Sequence, residues 1–146
     1  LKFEARRDLA RWLGARMRLA LPALDSGWIV IPVPLSPERL RQRGYNQADW
    51  LAREIRGFPQ RPRWLMRVKH TASQVGRSRR DRWQSLEQAF AASSRVAGQR
   101  ILLVDDVLTT GATLYWAAKA LEARGAVEIR ALVAGRTPLL RGSGED

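Results

Sequence analysis

One segment constrains this chain more than any other: Ile101 to Thr113, ILLVDDVLTTGAT. Ile101, Leu102, Leu103 and Val104 form an unbroken apolar run, the pattern of a strand buried on both faces of a parallel sheet. The chain is then expected to leave the carboxyl end of that sheet at Asp105, and in open α/β sheets ligands bind at that end. Asp105 and Asp106 are followed by Thr109, Thr110, Gly111, Ala112 and Thr113, a turn offering three hydroxyls, successive backbone N–H groups and a glycine that admits close approach of an anion. Leu114, Ala117, Ala118 and Leu121 recur at helical spacing before Gly125, which predicts a helix over Ala112 to Arg124 whose positive N-terminal end faces the same anion.

A phosphate fits such a cup. Two acids beside it would repel a bare anion unless they held something else, and carboxylates there can hold the vicinal hydroxyls of a ribose, with a magnesium ion close by. The expected ligand is therefore a ribose phosphate. The simpler alternative is an ordinary strand, turn and helix in which Thr109 or Thr110 only caps; a paired Asp-Asp ahead of Thr-Thr-Gly-x-Thr argues against it.

The rest of the chain alternates helix and strand. Ala5, Leu9, Trp12, Leu13, Met17 and Ala20 predict a core-facing helix over Phe3 to Leu21, stopped by Pro22. Trp28 to Val33 reads as a strand ended by Pro34, and Ala48, Leu51, Ala52 and Ile55 mark a second helix closed by Gly57 and Pro59. Further strands are expected at Trp64 to Val68, Ile101 to Val104 and Val127 to Ala134. Strands separated by helices predict an α/β fold with a mostly parallel central sheet flanked by helices. Lys69 to Ser85 is polar, basic and without period, so residues 68–90 are expected to form a mobile lid, and 141–146 a frayed tail.

At 146 residues and 45% hydrophobic content, one domain over 1–146 is the expected count. The apolar stretches are far shorter than a membrane span and no signal-peptide pattern is present, so a soluble, cytoplasmic protein is expected. With no cysteine and a lone His70, any metal is expected to be held by oxygen. The net charge of +12 and the six tryptophans raise a competing class, binding of single-stranded DNA or another polyanion. Against it, Trp12, Trp50 and Trp116 fall within helical patterns and Trp28 opens a strand, so these are read as core or half-buried residues, leaving Trp64 and Trp83 for stacking.

Residues 101 to 113 resemble the signature of type I phosphoribosyltransferases, and other blocks resemble one branch of them, the competence-associated ComF family. Those blocks are Ile31-Pro32-Val33-Pro34-Leu35, the run Arg39-Leu40-Arg41-Gln42-Arg43-Gly44-Tyr45-Asn46-Gln47, then Arg67, Thr71 and Gln74, and Ala89-Phe90. The resemblance implies a type I phosphoribosyltransferase-like fold in which Asp105 and Asp106 hold the ribose of phosphoribosyl pyrophosphate and Thr109, Thr110, Gly111, Ala112 and Thr113 wrap its 5′-phosphate. Pro34, Leu35 and Ser36, at the carboxyl end of the first strand, resemble the pyrophosphate loop, with Arg39 and Arg43 expected to reach the leaving group. Asn46 is expected to cap the following helix. Arg67, Lys69, Thr71 and Gln74 belong to the expected lid, and Mg²⁺ is expected to reach Asp105 and Asp106 through the substrate. Many relatives begin with a cysteine-rich zinc ribbon, so this chain, with no cysteine and no initiating methionine, is expected to be a fragment.

Purine-salvage relatives carry an acid at the position of Thr109, and threonine is no general base at neutral pH, so salvage of purine bases is not expected. The acceptor stays open. Two readings stand: a phosphoribosyltransferase of unknown acceptor, or a domain that keeps the ribose-phosphate grip for binding alone, assisting DNA uptake with single-stranded DNA or DNA-processing proteins, and possible self-association, as its partners.

Overall fold

The computed structural model describes residues 2–68, 78–108 and 111–136. Its centre is a parallel sheet of three strands, β1 (Trp28–Pro32), β4 (Arg100–Leu108) and β5 (Glu128–Arg136), in the order β1-β4-β5. Helices α1 (Lys2–Ala20), α3 (Gln47–Arg53) and α5 (Ala112–Ala123) pack against it, the expected α/β architecture.

The unbroken apolar strands are buried on both faces, and alternation divides the core in two. Ile29, Ile31, Ile101 and Leu103 point to one side, where they meet Ala117 and Leu121 of α5. Trp28, Val30, Leu102 and Val104 point to the other, against Ala10 and Met17 of α1 and Leu51 and Ala52 of α3.

The outermost apolar residues of α1 differ from expectation. Ala10 and Met17 are buried, whereas Leu9 and Trp12 are 50% and 56% exposed, and Trp12 carries Arg16 over its ring at 4.9 Å. The contact face is set by small residues: a Cβ on Gly14 would lie 2.5 Å from Glu54 Cβ, so only glycine lets α1 approach the end of α3 this closely.

Trp64 to Val68 is expected in the parallel sheet; the strand there, β2 (Leu65–Arg67), instead pairs antiparallel with β3 (Phe90–Ala92) in a separate two-stranded sheet, Arg67 opposite Phe90. Two short helices appear where no apolar period exists. Helix α2 (Pro37–Arg43) buries none of its residues and is defined by its ends: the Ser36 side chain accepts from Arg39 N, Pro37 starts the helix, and Gly44 closes it at φ 79°. Helix α4 (Arg79–Ser85) lies within the stretch read as a periodless loop and is capped by Ser78. It is fastened to α5, for Trp116 Nε1 donates to the Trp83 carbonyl at 2.8 Å and the Trp83 and Tyr115 rings lie 5.0 Å apart. Among the described residues no helix is long and apolar enough to cross a membrane.

Candidate functional site

The site arises from a mismatch between neighbouring strands. The last residue of β1, Pro32, pairs with Val104, and Val33 N donates to the Val104 carbonyl at 2.8 Å. The ladder on that side stops there, because the Val33 carbonyl accepts from Asn46 Nδ2 and Asp106 N donates to its neighbour Asp105 Oδ1 instead of to β1. On its other side β4 continues along β5, with Asp105 opposite Val133 and Leu108 opposite Arg136. The strand was expected to end at Asp105; both acids lie within it, because β5 supports the backbone after β1 has turned away.

The turn following β1 and this one-sided end of β4 enclose a cavity of about 170 Å³. Asp105, Asp106 and Thr113 line it from the β4–α5 side; Pro34, Leu35, Arg39, Arg43 and Asn46 line it from the β1–α3 side; Arg67 lines it from β2. Cationic guanidinium groups and two carboxylates thus face one hollow, the arrangement a ligand with both hydroxyl and phosphate groups can satisfy.

Asp105 Oδ1 accepts from Asp106 N at 2.9 Å, and Asp106 Oδ1 accepts from Val107 N at 2.8 Å, so each carboxylate is oriented by the next backbone amide. Among the described residues neither acid is held in an ion pair. Burial pushes the Asp105 carboxyl up to about 7, and the neighbouring Asp106 carboxylate adds to the rise against the opposing pull of the amide hydrogen bond. Burial also lowers the pKa of Arg67, with repulsion from Arg39 acting the same way, and its guanidinium stacks over Phe90 at 5.1 Å.

Several expected site residues converge here and others take supporting positions. Asp105, Asp106, Pro34, Leu35, Arg39, Arg43, Arg67 and Thr113 share the cavity. Ser36 does not line it; its side chain is buried, 1% exposed, and caps α2, which sets where Arg39 begins. Gly111 lies just before α5 at φ 81°, a left-handed conformation that suits glycine, and Ala112 is buried in the first turn. Thr109, Thr110, Lys69, Thr71 and Gln74 lie outside the described residues. Arg67, expected in the lid, is a strand residue in the cavity wall.

Asn46 does more than the expected capping. Its Oδ1 accepts from Ala48 N at 3.1 Å while its Nδ2 donates to the Val33 carbonyl at 3.1 Å, so one side chain starts α3 and holds the turn after β1. Of the tryptophans kept for stacking, Trp64 packs against the core and Trp83 against Tyr115. The flat aromatic surface the sequence did not reveal is Tyr45 on Trp50, with ring centroids 4.3 Å apart.

Residues 43–139 match the model of the phosphoribosyl transferase domain, and the chain belongs to that family. Among curated proteins it is 42% identical over 137 residues to competence protein F of Haemophilus influenzae, covering 88% of this chain and 60% of that protein. It is 35% identical over 147 residues to the DNA utilization protein YhgH of Salmonella typhimurium, covering 94% of this chain and 64% of that one. It is also 37% identical over 102 residues to competence protein ComFC of Bacillus subtilis, covering 69% of this chain and 41% of that one. The chain therefore spans less than two thirds of the length of these relatives. Among solved structures it resembles one described as the allosteric regulatory enzyme of purine biosynthesis, with TM-score 0.56 and 23% identity, covering 86% of this chain and 25% of that one. The fold is thus the expected type I phosphoribosyltransferase-like one, and the relatives are the expected ComF-like competence proteins.

Proposed function

We propose that the cavity binds phosphoribosyl pyrophosphate as its magnesium complex and that the domain is a phosphoribosyltransferase whose acceptor is unidentified. The observation that carries this reading is the convergence of Asp105 and Asp106 with Arg39, Arg43 and Arg67 on one hollow at the carboxyl end of a parallel sheet. In this reading Asp105 and Asp106 accept from the ribose hydroxyls, Thr109 to Thr113 surround the 5′-phosphate, and Pro34 and Leu35 with Arg39 and Arg43 receive the pyrophosphate.

Two carboxylates suit a hard cation such as Mg²⁺ but are too few to enclose it, and among the described residues no cluster of three or more His, Cys, Asp or Glu exists. The remaining ligands would come from the sugar, the pyrophosphate and water, and the ion would neutralise charge on the leaving group. In the transfer the bond between the anomeric carbon and the pyrophosphate oxygen breaks, its electron pair leaving with pyrophosphate, and an acceptor nitrogen bonds to that carbon. The arginines stabilise the departing charge while the carboxylates hold the ribose in place.

Calorimetry with the magnesium complex of the donor tests the grip. Binding by the native chain and its loss in Asp105→Asn, Asp106→Asn are expected, and pyrophosphate release with candidate amines tests turnover. A cytoplasmic place of action follows from this substrate.

A second reading, in which the domain serves DNA uptake by binding single-stranded DNA without turnover, is favoured by the names of the competence and DNA-utilization relatives and by the charge of +12. Oligonucleotide titration with a steep salt dependence, together with no binding of the donor, would select it.

A further inference from the structure

β5 lies at an edge of the sheet that nothing in its sequence defends. It pairs with β4 along one side only, and among the described residues no strand lies along the other. The outer side of β1, by contrast, is partly taken, for Val30 N donates to the Pro59 carbonyl at 2.9 Å and Arg61 N donates to the Val30 carbonyl at 3.0 Å. An open edge presents unpaired backbone N–H and C=O groups, and proteins usually blunt it with a proline, a lysine, a bulge or a very short strand. β5 has none of these: it runs nine residues, EIRALVAGR, in a register with β4 that holds one offset from Glu128 to Arg136, and Arg130 and Ala131 near its middle are exposed.

The charges on β5 select what can lie beside it. Leu132 and Ala134 pack on the α1 and α3 side of the sheet and Ile129 on the α5 side, so Glu128, Arg130 and Arg136 share the face of Leu132. A second copy laid antiparallel about a two-fold axis keeps like faces together. With all nine residues paired, the axis passes through Leu132, Glu128 of each copy lies opposite Arg136 of the other, and Arg130 lies opposite Ala134. A slip of two residues one way sets Arg130 against Arg136, and a slip the other way leaves Glu128 opposite Ala134 with no charge to meet. Full overlap is therefore also the register of matched charge. Glu128 can serve two partners: it accepts from Arg130 at 2.9 Å within its own strand, yet its side chain stays 43% exposed.

We infer that β5 is a self-association edge, on which a second copy of this chain adds its own β5 antiparallel, with Glu128 and Arg136 of the two copies pairing at both ends. Two three-stranded sheets then join as one of six strands. The cavities at the carboxyl ends of the two β4 strands open at opposite ends of that sheet, so neither copy covers the other's. Because Arg136 pairs with Leu108 in its own sheet, each ion pair between the copies lies beside the carboxyl end of a β4 strand. The interface is small, and strand pairing with two exposed ion pairs predicts a weak dimer that dissociates in the micromolar range. The inference stands on β5 alone and holds whether or not the cavity takes a ribosyl donor.

Sedimentation velocity of the whole chain over a concentration series, joined to amide hydrogen exchange, tests this. The native chain is expected to pass from monomer to dimer as concentration rises, with the added protection centred on β5. Glu128→Arg and Arg136→Glu each set like charges together at both ends, and each should weaken the dimer about tenfold with an unchanged circular dichroism spectrum. Mixing the two variants should restore association, since every end then meets its opposite, and so should the two changes made in one chain. A native chain that stays monomeric, whether its β5 amides exchange freely or are already protected by another segment, would overturn the assignment. A dimer indifferent to both single changes, or variants that stay apart on mixing, would overturn it too.

Discussion

Asn46 Nδ2 donates to the Val33 carbonyl at 3.1 Å, so the residue that starts α3 also holds the strand end from which the anion-facing turn departs. Its two functions can be separated. Asn46→Ser keeps a capping oxygen but cannot reach Val33, whereas Asn46→Ala loses both contacts. The alanine variant is expected to lose about 1–2 kcal/mol in urea unfolding and the serine variant less. Both should weaken the ribosyl donor about tenfold, because the turn is no longer held. Native affinity in the serine variant would show that the Val33 contact does not position the turn.

Asp105 carries a penalty for ionising. Its carboxyl is pushed from 3.8 up to about 7, chiefly by burial. Between those values the native state keeps a proton that the unfolded chain has released, so this group's contribution to stability is greatest at low pH and falls as pH rises through the interval. Asp105→Asn is neutral throughout. It is expected to unfold at higher urea than the native chain at about pH 8, with a smaller difference at about pH 4. An equal difference at both would sink the argument.

The same group should couple donor binding to protons. Ribose hydroxyls donate to an ionised carboxylate, so uptake of the donor drives the proton from Asp105 and affinity rises as pH increases toward about 7. Calorimetry in buffers of different ionisation enthalpy is expected to show proton release near about pH 6 and little at about pH 8.5.

Arg39 and Arg67 repel each other across the cavity. Arg39→Gln is expected to leave stability within about 0.5 kcal/mol of the native value while lowering the affinity for inorganic pyrophosphate about tenfold. A large loss of stability with unchanged pyrophosphate binding would give Arg39 a structural task instead.

Gly14 reverses the usual helix rule. Gly→Ala inside a helix ordinarily stabilises by about 0.5–1 kcal/mol. At position 14 the new Cβ would lie 2.5 Å from Glu54 Cβ and 3.3 Å from the Leu51 carbonyl oxygen. Gly14→Ala is therefore expected to destabilise by about 1–3 kcal/mol, measured by urea midpoint.

The central strands and the paired acids were legible because burial on both faces leaves a continuous apolar run that ends in charge. What escaped had no period to show. Helix α2 touches the core with none of its residues, so only Ser36, Pro37 and Gly44 announce it. Strands β2 and β3 have three residues each and depend on pairing partners distant in the chain. The extension of β4 past Asp105 rests on β5, whose register no local pattern encodes. Trp12 was misplaced because apolar residues occur on more than one face of α1, and close approach of the small Ala10 and Gly14 chose among them. Arg39, Arg43 and Arg67 share a cavity only because α2 and β2 bring them there.

The Val33 carbonyl, taken by Asn46 rather than by β4, makes the notch a matter of strand arithmetic. Were that carbonyl open to Asp106 N, β1 could zip further along β4 and roof over the aspartates. The shelf exists before any guest arrives, and its depth is governed by where the two strands part.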